Sequence, residues 1–452
     1  MPGTGADGMR TPAAPPRGAD VSARMPGAWP LLGHIPSLAR DPMRFVSSLA
    51  EHGEMVKVRI GRQEMWFATS TRAVRQLLVT DARFYTNGRQ VGRLADLFGD
   101  SVVRADGARH REQRRLVQPA FHEERFTGYV DVMRHQVETL VERWRPGQLL
   151  DLRSEMYALA VRVLLSAMFG AAEDQGTVEH AARCVPVILD NLLLRAVMPP
   201  WLAGMPLPAN LRYARASSTL RRLAGEACAR HRADGRDHRD LLSILLAAHP
   251  DDDRRVTDEA VTILIAGTDA NATQAAWLFH ELSEHPVAAR RLRAEVDQVL
   301  GDRPITHGDV AKLVYTGQVV TETLRLHAPL MIARRATAPV ELCGVAVEPG
   351  TEVLCSPYAL HRREENFPEP LRFDPDRWQE ERPAPAKSAF CTFGDGVHRC
   401  LGEHFARAEL VVTVATVTRR HALTPAGRGR PREVAAALPR PDAVPMVVSA
   451  RS

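Results

Sequence analysis

The chain has 452 residues, 45% of them hydrophobic and 25% charged, a balance that can bury a large core and excludes a disordered or fibrous protein. Its 59 Lys and Arg against 54 Asp and Glu leave a net charge of +5, too mild and too evenly spread for a nucleic-acid arm. Length alone would allow about three domains at roughly 150 residues each.

Taken in chain order, residues 1–24 are rich in Gly, Ala, Pro and Arg without periodicity and read as a disordered leader. A folded region then runs from 25 to 452, and no linker divides it, so a single domain is expected. Alternation in Met55–Ile60 and Glu64–Ala68 predicts a hairpin turning at Gly61. Helical periodicity follows at 71–80, 109–118, 124–144, 155–169, 210–233, 239–248, 257–284, 286–299, 307–312 and 316–327. Strand-like pieces return at 339–354 and 444–448. The fold class is therefore mainly α with small β-sheets.

The segment from Thr257 predicts the longest helix. Thr257 is its expected N-cap, and His285 before Pro286 its end. Its middle reads Ala266-Gly267-Thr268-Asp269-Ala270-Asn271, small and polar amid apolar neighbours. Gly there costs roughly 1 kcal/mol of helix stability against Ala, which implies that something approaches the backbone closely.

Six cysteines (184, 228, 343, 355, 391 and 400) are scattered, with no C-x-x-C pair and no secretion signal. A reduced, cytoplasmic protein is expected. The most apolar stretch, Val185 to Leu211, is broken by Asp190, Arg195 and four prolines, so no membrane span is expected.

Chemistry concentrates at Phe393-Gly394-Asp395-Gly396-Val397-His398-Arg399-Cys400-Leu401-Gly402. The glycines allow a tight turn and close approach to a flat ligand. A helical pattern from Gly402 places the Cys400 thiol at a helix N-terminus, where the dipole favours a metal-binding thiolate. This segment resembles the cytochrome P-450 signature F-x-x-G-x-x-x-C-x-G at every specified position. Glu322-Thr323-Leu324-Arg325 is similar to that family's E-x-x-R, and Phe373 to Trp378 to its F-x-P-x-R segment. The stretch Gly107 to Arg115 resembles its helix beside the haem propionates. These motifs stand in the family's order from about residue 26 to the C-terminus.

The resemblance implies a cytochrome P-450 fold with a long central helix over haem b, whose iron Cys400 would ligate. Phe393 and Gly394 would line the cofactor, and His110, Arg114, Arg334 and His398 would hold the propionates. Adjacent Arg335 stands as an alternative to Arg334. Glu322, Arg325 and Arg377 look like the family's buried charge network. Val102, Ala266, Ala270, Met331 and Ile332 would wall the substrate pocket, with 185–211 as a mobile lid. Arg111, Arg115, Arg399 and Arg407 would present a basic face to a ferredoxin, itself served by a ferredoxin reductase.

The chain departs from the family at one position. Where the central helix usually carries an acid followed by Thr, it has Asp269 and then Ala270, which cannot organise water for proton delivery. Asp269 and Asn271 are the candidate catalytic residues, although one helical step turns Asn271 by about 100° from position 270. The expected function is O2-dependent monooxygenation of a small, largely apolar molecule, a secondary-metabolite intermediate. Ala270 raises an alternative: haem-thiolate chemistry without hydroxylation, such as N–O or peroxide activation, nitrene-type transfer, or C–N or C–C bond formation. A haem-binding sensor is the remote third reading.

Overall fold

The computed structural model describes residues 22–169, 175–197, 200–238, 240–427 and 429–450. Helices dominate: α1 (Gly107–Val117), α2 (Glu123–Val141), α3 (Leu152–Phe169), α4 (Gln175–Val197), α5 (Pro208–Asp234), α6 (Asp253–Glu284), α7 (Pro286–Leu300), α8 (Val314–Leu326) and α9 (Glu403–Arg420), with shorter helical turns between them. The expected mainly α class is what forms. The expected leader lies outside the described residues up to 21, but Ser22–Arg24 is already a strand. Ser22 to Arg24, within the expected leader, pair in parallel with Met55 to Lys57.

Helix α6 organises the rest. It spans 32 residues, about 48 Å at about 1.5 Å per residue. Asp252, rather than Thr257, caps it, its carboxylate accepting the Arg255 N–H at 3.0 Å. Thr257 instead sits inside the helix and donates to the Asp253 carbonyl at 2.8 Å. The end at His285–Pro286 is where the sequence places it. Most of α6 is buried, and Trp277 is completely so. Gly267 has a packing cause. A Cβ there would lie 2.9 Å from Leu164 Cδ1 of α3, so a neighbouring helix packs closely at this position.

The sheets are small, as expected. Strands β1 (Ser22–Arg24), β2 (Met55–Ile60), β3 (Gln63–Ala68), β4 (Tyr85–Asn87), β5 (Ile332–Ala336), β6 (Val340–Leu342), β7 (Val345–Val347) and β8 (Glu352–Cys355) form a six-stranded sheet, order β1-β2-β3-β8-β5-β4, and a β6–β7 hairpin. The β2–β3 hairpin pairs Met55 with Ala68 through to Ile60 with Gln63, and Gly61 takes φ +61° in its turn. The strand expected near 444–448 is Pro445–Ala450, paired with His421–Pro425 and Leu149–Asp151. The segment expected as a lid is mostly helix in its described part, α4 continuing through Pro186 to Val197 and α5 starting at Pro208. Among the described residues no helix is long and apolar enough to cross a membrane.

Candidate functional site

Cys400 stands at the mouth of α9. The Cys400 N–H donates to the Phe393 carbonyl at 2.9 Å, and the Gly394 N–H to the Cys391 carbonyl at 2.9 Å, closing the loop on itself. Gly396, at φ +67°, could carry no side chain, since a Cβ would fall 2.0 Å from the Leu78 carbonyl oxygen. At Gly396 the close neighbour is protein backbone. Asp395 accepts the Gly396 N–H at 2.8 Å and the Ser388 hydroxyl at 2.7 Å, which fixes the turn. Gly402 caps the buried helix Glu403–Arg420. Burial raises the Cys400 thiol above its usual range, while the Gly402 N–H, Arg114 and Arg399 pull the other way. The helix start therefore moderates the thiol's reluctance to ionise without reversing it.

Four bases gather beside the thiol. The rings of His110 and His398 lie 4.1 Å apart. His398 is held down to about 3, first by burial and then by Arg334, His110 and Arg114. Burial, then Arg114, lowers His110. Arg114 also donates to the Arg399 carbonyl at 2.7 Å, tying α1 to the cysteine loop. Asp106 is the carboxylate that acts on His110 and Arg334, and it already accepts the Asn87 N–H at 2.9 Å. Neutral histidines pressed between two arginines mark a site built for an anion. Adjacent arginines part company here: Arg334 acts on both histidines, whereas Arg335 acts on Glu352 and stands opposite it in the β5–β8 ladder.

The central helix presents two faces. Ala266 and Ala270, one turn apart, are exposed in the middle of an otherwise buried stretch, so they border an open space. Asp269 accepts the Tyr157 hydroxyl of α3 at 2.6 Å, and that hydroxyl lies 3.2 Å from Thr273 Oγ1. Burial pushes the Asp269 carboxyl above the usual carboxylate range, opposed by Tyr157, Arg440 and Arg153. Asn271 is buried on another side and donates to Glu409 of α9. Glu409 is pushed up to about 8 by burial, against that bond. The amide is thus engaged with α9, away from the face of Ala270.

The expected pocket residues divide in the same way. Val102 is 8% exposed and its N–H donates to Glu259 at 2.8 Å, whereas Val103 is 40% exposed. The open residue of that pair is Val103, which sequence reading missed because a loop has no period to orient it. Met331 and Ile332 are half-buried against apolar clusters flanking the main sheet. Tyr157 was also missed, since nothing in its own helix marks it. Arg111 and Arg115 are exposed. Arg399 and Arg407 are partly engaged, at 2.8 and 3.3 Å from Glu403.

A thiol on a turn, an anion-seeking set of bases beside it and an open face of small residues fit a haem with two propionates. The family model described as cytochrome P-450 matches residues 24–441. The chain is 38% identical to the cyclooctat-9-en-7-ol 5-monooxygenase of Streptomyces melanosporofaciens, covering 92% of this chain and 94% of that one. It is 36% identical to the cyclooctatin synthase of the same organism, over 88% and 89%. It is 34% identical to the pentalenene oxygenase of Streptomyces avermitilis, over 89% and 92%.

Proposed function

Since the chain belongs to the cytochrome P-450 family, we propose that it is a monooxygenase of a cyclic terpenoid, supplied with electrons by a ferredoxin and its reductase. The observation that carries this reading is the near full-length similarity to three relatives, two of them named as oxygenases of such compounds. Haem held through a cysteine thiolate supplies dioxygen activation and oxygen insertion into unreactive C–H bonds. The protein's residues do the rest. Cys400 holds the iron, while His110, Arg114, Arg334 and His398 hold the propionates. Ala266 and Ala270 offer a wall of small groups, suited to a bulky hydrocarbon that binds by shape and excluded water. Asp269, whose carboxyl burial pushes above the usual carboxylate range, is the acid nearest the small residues. Arg111 and Arg115 offer an acidic ferredoxin a basic approach.

The test uses cyclooctat-9-en-7-ol and pentalenene as probes with ferredoxin, reductase, NADH and isotopically labelled dioxygen. The expected product carries one labelled oxygen atom. Failure of both probes to perturb the haem spectrum would remove the terpenoid assignment. In Cys400→Ala the red-shifted Soret band of the reduced CO complex should disappear entirely, and its survival would refute the ligand.

Ala270 favours a second reading, a reaction that needs no dioxygen. Ala270→Thr separates the two. A monooxygenase should keep or improve its yield of product per NADH, whereas a reaction without dioxygen should hold level or slow. Native turnover under strict anaerobiosis without reductase would establish the second reading.

A further inference from the structure

The acid of the central helix is held from behind. Tyr157 belongs to α3, and its ring is buried against α6. It lies seven residues before Leu164, two turns along the same face, and Leu164 is the side chain that fits against Gly267. The tight crossing that Gly267 permits therefore brings the phenol to Asp269. A phenol has one proton to give and lone pairs to receive. At 2.6 Å it donates to Asp269, and at 3.2 Å it can accept from Thr273. Arg153, one turn earlier, stands 5.5 Å from the Tyr157 ring centroid. Arg440 reaches in from the C-terminal strands, is bound to Asp190 of α4 at 2.6 Å, and bears on both Tyr157 and Asp269. Tyr157, Arg153, Arg440 and Asp190 are thus the polar groups that face the carboxyl from α3, α4 and the C-terminal segment.

We propose that Tyr157 is a positioning residue for Asp269, its phenol and the Thr273 hydroxyl supplying from neighbouring positions the hydroxyl partner that Ala270 lacks. This rests on the reading of Asp269 as the acid of a monooxygenase. Thr at position 270 would put a hydroxyl on the acid's own helix. Here the hydroxyl comes across a helix crossing, which leaves position 270 small and the wall open to a larger substrate.

Tyr157→Phe keeps the ring and deletes only the hydroxyl. In the resting enzyme, the infrared band of the protonated Asp269 carboxyl is identified by its loss in Asp269→Asn and titrated with pH. The Tyr157 bond favours the ionised carboxylate, so its removal should raise the midpoint by about one pH unit, about tenfold in proton affinity. With ferredoxin, reductase and cyclooctat-9-en-7-ol as probe, the same variant should release several-fold more hydrogen peroxide per NADH, with the spectral binding constant unchanged. In an Asp269→Asn background it should add nothing. An unmoved midpoint overturns the positioning role. A moved midpoint with unchanged peroxide release, or additive effects in the double variant, overturns its part in the reaction and leaves monooxygenation standing. Anaerobic native turnover would instead sink the monooxygenase reading, while the midpoint still decides whether Tyr157 holds Asp269.

Discussion

Two buried groups of charge in this molecule contrast in what they lack. At the end of α8, Arg325 is completely buried and all its donors are used. Its Nε and Nη2 meet Glu322 at 2.9 and 2.8 Å, Nη1 meets the His361 and Pro370 carbonyls at 2.9 and 2.8 Å, and Nη2 reaches the Arg372 carbonyl at 3.2 Å. Glu322 in turn accepts from Asp374, Arg377 and Trp378. Around Cys400 the bases His110, Arg114, Arg334 and His398 crowd together, and Asp106, the carboxylate that acts on His110 and Arg334, already accepts the Asn87 N–H. A buried charge that closes on the protein's own atoms is architecture. One left in surplus is a binding site for something the chain does not encode.

The contrast can be broken most severely at Arg325. Arg325→Ala leaves Glu322 buried with its principal partner gone, and stability should fall by about 3–5 kcal/mol. Urea unfolding of the purified enzyme measures this, and a loss under about 1 kcal/mol would show that the network is not closed as described. At the basic cluster the expected effect changes in kind. His110→Ala with Arg114→Ala should weaken haem retention at least about a hundredfold, since hydrogen bonds to charged groups contribute about 1.5–3 kcal/mol each. The unfolding of the haem-free protein should move little. Transfer of haem to apomyoglobin reads the first effect, and an unchanged transfer rate would remove these residues from the propionate site.

The third probe is pH, acting beside the closed network. His361 is completely buried, its Nδ1 lying 3.0 Å from the Arg325 carbonyl and its Nε2 accepting the Cys391 N–H at 3.1 Å. Burial, outweighing the bond to the Arg325 carbonyl, holds it down to about 3. Its folded value is below the unfolded one of about 6.5. The stability it confers is therefore present above about pH 6.5 and lost as pH falls towards about 3, by up to about 1.4 kcal/mol per pH unit. In His361→Gln the acid limb of stability against pH should be shallower by one proton. An identical limb would mean that His361 is not held neutral.

Much of this was legible in the residues, for identifiable reasons. Long helices announce themselves by period, and α6 ends at Pro286 because proline excludes the helical conformation before it. Its start was harder, since Asp252, Asp253 and Thr257 can all cap and only the chain's path chooses Asp252. The cysteine loop was legible because its glycines and Asp395 act locally. Gly267 was marked as unusual, but its neighbour Leu164 is about a hundred residues away and invisible to any local pattern.

By itself the sequence determined the class of fold, the thiol at a helix start, the acid at 269 and the missing alcohol at 270, because each depends on residues adjacent in the chain. Tertiary structure alone decided which of Val102 and Val103 opens outward, which of Arg334 and Arg335 bears on the histidines, where Asn271 turns, and that Tyr157 reaches Asp269. Adjacent residues in a strand point to opposite sides and those in a loop follow no period, so only packing assigns the sides. Contacts between helices join positions whose separation along the chain carries no signal.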